Sequence, residues 1–90
     1  MDKLTILGLT AALLTSFGGL PQTIKTLKTG KTRDLSFGMY LLLNLGVILW
    51  IIYGILKGDL PVIVANLLAL LFLGTIFAVI VKNKIKGGED

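Results

Sequence analysis

The chain has 90 residues, 54% of them hydrophobic and 16% charged, with a formal net charge of +4. A water-soluble domain of this length cannot hide that much apolar surface, so lipid must cover it. The absence of cysteine and histidine excludes disulfides, zinc sites, Cys/His nucleophilic triads and imidazole acid–base chemistry.

Three charge-free windows organise the chain: Leu4 to Ile24, Leu35 to Leu56 and Leu60 to Val81. About 20 helical residues span a bilayer core, so each window reads as one transmembrane helix. The expected fold is an all-α transmembrane three-helix bundle, a single domain over residues 1–90. Its helices are expected at about 4–25, 35–56 and 60–82, followed by a polar tail over 83–90.

The first window holds Gly18-Gly19-Leu20-Pro21-Gln22. Proline removes a backbone donor and crowds the carbonyl four residues back, that of Phe17, while paired glycines loosen the same turn. Backbone in lipid must stay hydrogen-bonded, so Pro21 is expected to bend the helix rather than end it. The window passes well beyond Ser16-Phe17-Gly18, which favours a retained helix over a cleaved signal peptide. Gly8, Ala12, Ser16 and Gly19 form a stripe of small residues that suits close helix packing. Lys25 to Asp34 reads as a polar link with its turn at Thr29-Gly30-Lys31.

In the second window Met39, Leu43, Gly46, Trp50 and Tyr53 share one helix face, and Asn44 lies on a different side. Tyr53 suits an interfacial anchor. Trp50 suits it less, being roughly 10 Å of helix from Lys57. Lys57-Gly58-Asp59 is a tight turn, and Pro61 suits the first turn of the third helix. Asn66 lies roughly 7–8 Å into that helix, so the reversal of the chain puts it at the depth of Trp50. An amide at that depth must face protein or water. It fits an interhelical hydrogen bond, or a site where an indole stacks on an apolar ring face and an amide meets hydroxyls. Ala65 with Ala69 and Gly74 with Ala78 are further packing pairs.

Charge gives the orientation. Lys25, Lys28, Lys31 and Arg33 in the first link and Lys82, Lys84 and Lys86 in the tail share one side; Lys3 and Lys57 take the other. The positive-inside rule then puts the N-terminus outside and the C-terminus in the cytoplasm. These cations sit between apolar runs and not on one polar face, so no nucleic-acid partner is expected. No ionisable residue lies inside any window. A membrane-buried acid therefore cannot carry protons, and a charged solute would lack a counter-charge. The sequence suits passage of a neutral polar solute, or no passage.

Pro21-Gln22, Thr32-Arg33-Asp34-Leu35-Ser36, Met39-Tyr40, Gly46 to Trp50, Tyr53-Gly54, Asp59-Leu60-Pro61 and Ala65-Asn66, in that order and over this length, resemble the SemiSWEET family. These are bacterial half-transporters related to SWEET and PQ-loop proteins. The resemblance implies a parallel homodimer in a bacterial inner membrane, moving mono- or disaccharides down their gradient by alternating access. It implies sugar binding by Trp50 and Asn66, a hinge at Pro21 with Gln22, and an outer gate of Tyr53, Lys57 and Asp59. The inner gate falls to Met39 and Phe17. The chain departs from some members at Gly19, where they carry an aromatic, and at Lys57, where they carry an arginine.

Elementary size supports pairing: three helices about 10 Å across leave no room for a hydrated sugar path, whereas two parallel copies can enclose one. The alternatives are a three-span, holin-like pore former and an accessory subunit beside a larger membrane complex. No nucleophile–base pair or metal cluster is evident, so no enzymatic activity, catalytic residue, metal or cofactor is expected.

Overall fold

The computed structural model describes residues 1–87. They form four α-helices: α1 (Lys3–Phe17), α2 (Leu20–Thr29), α3 (Phe37–Lys57) and α4 (Leu60–Ile85). By length and hydropathy these make three membrane spans, with α1 and α2 together forming the first, Lys3–Thr29. The chain is a multi-pass membrane protein.

The starts of α1, α3 and α4 each carry a side-chain cap. The Asp2 carboxylate accepts from the Thr5 amide at 2.9 Å, Ser36 Oγ from Met39 at 3.1 Å, and Asp59 Oδ1 from Val62 at 3.2 Å. These bonds satisfy donors that a helix start leaves open. Hydrogen bonding to the Thr5 side chain and then to its amide holds the Asp2 carboxyl below its ordinary value. The helix ends at Gly30 and Gly58 use left-handed backbone, at φ 66° and 68°, which glycine adopts without steric cost.

The bend in the first span lies one turn earlier than the proline. α1 stops at Phe17, Gly18 and Gly19 form a turn, and α2 restarts at Leu20. Gly19 N–H reaches back only three residues, to Ser16 O at 3.1 Å. Pro21 thus occupies the first turn of α2, where a missing N–H costs little. Ending α1 at Phe17 also removes the carbonyl clash that a proline creates inside a continuous helix. Thr23 closes the break from the other side, its hydroxyl donating to Gly19 O at 3.0 Å.

The link expected over Lys25 to Asp34 is shorter than its polarity indicated. α2 continues through Thr29, and only residues 30–36 connect it to α3. Lysines near a helix C-terminus complement its dipole, so Lys25 and Lys28 do not break the helix. Asn83 pins this connection to α4: its Nδ2 donates to Gly30 O at 3.0 Å and to Thr32 Oγ1 at 2.8 Å. The tail expected over 83–90 is helical as far as Ile85, and its last three residues lie outside the described ones.

The last helix is the middle of the bundle. α4 packs against α1, α2 and α3, while no Cα of α1 or α2 comes within 8 Å of α3. The three spans therefore stand in a row, and the Cα envelope measures 49 × 24 × 13 Å. Small residues allow the close approaches. A Cβ built on Gly8 would stand 2.8 Å from Pro61, and one on Gly54 would stand 3.0 Å from Val62 and Ile63. Ala12 and Ser16 of the expected stripe are buried, and Ser16 Oγ donates to Ala65 O across the α1–α4 seam at 3.4 Å. On the other seam Asn44, buried, donates to Tyr40 O at 2.7 Å and Leu73 O at 3.2 Å. A small apolar core of Tyr40, Ile76 and Ile80 lies toward the end of the bundle where α3 starts and α4 finishes.

Candidate functional site

With the spans in a row, one broad face of α4 stays open between its flanking helices. Two hollows lie along the bundle. The first, of about 370 Å³, is lined by Gly8, Ala12 and Thr15 of the first span, Trp50 of α3, and Pro61 and Asn66 of α4. The second, of about 230 Å³, shares Thr15 and continues past Gly19, Gln22 and Tyr40 to Phe72 and Ile76.

Trp50 and Asn66 therefore border one hollow, from different helices. Trp50 reaches it because Gly54, one turn later, lets α3 lie close against the start of α4. The indole is 53% exposed, and Tyr53 stands edge-on to it at a centroid distance of 5.4 Å and 88°. That T-shaped contact orients the ring without covering both its faces. Asn66 Nδ2 donates to Val62 O of its own helix at 2.8 Å. Asn66 shows no interhelical hydrogen bond among the described residues, whereas Asn44 makes one to Leu73 O. Among the described residues no other hydrogen bond holds the Asn66 amide, so its Oδ1 and second N–H are available to a ligand. The hollow thus offers one aromatic plane, one carboxamide and otherwise apolar or small walls, a composition typical of small-molecule sites.

The face shared by Met39, Leu43, Trp50 and Tyr53 is uncovered, each residue being two-fifths to one-half exposed. Phe17 and Met39 do not meet: Phe17 packs at 6.3 Å from Phe72 and lines a separate hollow with Pro21. Lys57 and Asp59 flank Gly58, with Asp59 engaged as the cap of α4. Gln22 donates to Thr26 Oγ1 at 3.1 Å and lines the second hollow. Thr15 is a lining residue that sequence reasoning passed over. It falls on the small-residue stripe, three after Ala12, and its hydroxyl is satisfied by Ala11 O and Ala12 O.

The PQ loop repeat model matches residues 4–63, from the start of α1 into α4. The sugar transporter SemiSWEET of Leptospira biflexa is 48% identical over 67 residues, covering 74% of this chain and 79% of that protein. The chain belongs to the SemiSWEET family. The Escherichia coli SemiSWEET is 38% identical over 86 residues, 96% of this chain and 97% of the relative. A crystal structure of SemiSWEET in the inward-open conformation superposes with a TM-score of 0.91 at 38% identity, covering 97% of this chain and 94% of that one.

In this SemiSWEET the glycine at position 19 is not demanded by its backbone. Its φ of −85° is ordinary, and an added Cβ would meet only Ser16 O, at 3.5 Å. The second hollow borders Gly19, so the missing side chain widens that hollow.

Proposed function

We propose that two copies of this SemiSWEET stand parallel in a bacterial inner membrane, open faces together, and carry a neutral mono- or disaccharide down its gradient. The observation that carries this reading is the hollow bordered by Trp50 and Asn66 on a bundle whose outer spans do not approach each other. Such a bundle has no interior of its own. A second copy turns an open hollow into an enclosed one, and a two-fold axis along the membrane normal gives both copies the same inside. The bias of Lys and Arg toward one side supports the shared orientation, N-terminus outside and C-terminus cytoplasmic.

The indole of Trp50 stacks on the apolar face of a sugar ring, and the Asn66 amide exchanges hydrogen bonds with its hydroxyls. Neither residue carries charge, so the solute crosses without a coupled ion. The break at Gly18-Gly19, fixed in place by Pro21 and Gln22, is the hinge on which the inner half of the first span rocks. Tyr53, Lys57 and Asp59 close the outer mouth, and Met39 narrows the inner one. The protein binds and releases its solute unchanged, and acts as no enzyme.

The test is sugar counterflow into proteoliposomes over a panel of mono- and disaccharides. Trp50→Ala and Asn66→Ala are each expected to abolish uptake while the dimer persists on a sizing column. Uptake at the wild-type rate in both variants would remove the site assignment.

A further inference from the structure

A further hollow lies off the open face. About 570 Å³ in volume, it lies in the crook of the first span and is lined by Phe17, Leu20, Pro21, Ile24, Lys25, Lys28 and Thr29. Its walls divide by chemistry: the first four residues are apolar and exposed or half-exposed, and the two lysines stand at one end. No Asp or Glu lines it. The opposite face of α2 is turned inward, with Thr23 and Thr26 at 5% and 1% exposure against the bundle. At 100° per residue Pro21, Ile24 and Lys28 lie roughly opposite Gln22 and Thr26, the side that borders the second hollow. The crook therefore opens away from the solute face, toward lipid.

Depth matches as well. From Leu4 to Lys25 the helical rise is roughly 30 Å, about the thickness of a bilayer's hydrocarbon core. Lys25 and Lys28 thus stand at headgroup level, with Phe17 and Leu20 below them at the depth of acyl chains.

We propose that this crook binds an anionic phospholipid of the inner leaflet, its phosphate held by the Lys25 and Lys28 ammonium groups and an acyl chain laid along Phe17, Leu20, Pro21 and Ile24. Basic residues at a helix end near the cytoplasmic surface attract anionic headgroups. The break at Gly18-Gly19 supplies what a straight helix lacks, a recess in which one chain can sit. The site touches both sides of the hinge, with Phe17 on α1 and the other lining residues on α2, so an occupying lipid holds the angle between the two halves.

The experiment is native mass spectrometry of the full chain in mild detergent, titrated with phosphatidylglycerol or phosphatidylcholine. Wild type is expected to retain phosphatidylglycerol preferentially. Each lysine contributes about a fivefold gain in affinity. The variant carrying Lys25→Gln and Lys28→Gln is then expected to lose that preference by roughly twenty-fold. A control variant carrying Lys82→Gln and Lys86→Gln, with the same change in net charge, is expected to keep it. Equal loss in both variants would mean diffuse attraction to a positive surface and would overturn the site, as would unchanged retention in the first. A second readout needs no variant: amine labelling of wild-type protein in nanodiscs. Lys25 and Lys28 are expected to be protected several-fold by phosphatidylglycerol relative to phosphatidylcholine, and Lys82 and Lys86 much less. Protection of Lys25 and Lys28 that is the same in both lipids would mean that protein covers the crook, and would sink the proposal.

Discussion

Single residues decide how closely these helices lie. Gly8 is the sharpest case, because the ring of Pro61 occupies the place where a Cβ would go, at 2.8 Å. A proline ring cannot rotate out of the way, so the backbone of α1 or α4 must move. Gly8→Ala is therefore expected to cost about 1–3 kcal/mol, as overpacking generally does. Thermal unfolding in detergent reads this directly, and a midpoint at or above that of wild type would contradict it. Part of this was legible in the sequence: Gly8, Ala12 and Ser16 stood out as a packing stripe, and the structure buries Ala12 and Ser16. Their partners were not legible, because a periodicity names a face and not what lies against it. Asn44 and Asn66 make the same point. Both are amides in apolar runs, yet one bonds across a seam to Leu73 O and the other bonds within its own helix to Val62 O. Nothing local distinguishes them; the distinction comes from which side of α3 or α4 the neighbouring helix occupies.

At the scale of elements, the windows without charge gave the number of spans, because the cost of ionised groups in lipid is large enough to dominate every local preference. The break in the first span was legible in kind but displaced in position. Proline carries the stronger steric signature, but it tolerates a helix start, so the glycines before it take the distortion. The end of α2 was placed too early for a related reason. Lysine is a good helix former, and its charge marks the edge of the membrane, not the edge of the helix. These facts make Gly19→Ala informative. The position has an ordinary φ of −85° and room for a methyl group. The substitution is expected to stabilise the protein by about 0.4–1 kcal/mol through the unfolded chain. In the same variant, sugar counterflow is expected to slow, since a stiffer break rocks less readily. Raised stability with undiminished turnover would count against the hinge.

The whole molecule is a row of three spans, 13 Å through its thinnest dimension. A solute path in such an object has a wall on one side only, which is why pairing carries the proposed function. Native mass measurement in mild detergent is expected to give twice 9.7 kDa; a large ring or a mixed complex would point to a pore former or an accessory subunit. The row has a further consequence for how the chain comes into being. Its centrepiece, α4, is made last, and the first span makes no approach to α3 without it. During synthesis the two outer spans must therefore wait in the bilayer as unpartnered rods. The fold closes only when the last of these four helices slides between them, so assembly waits on α4 and does not build up span by span.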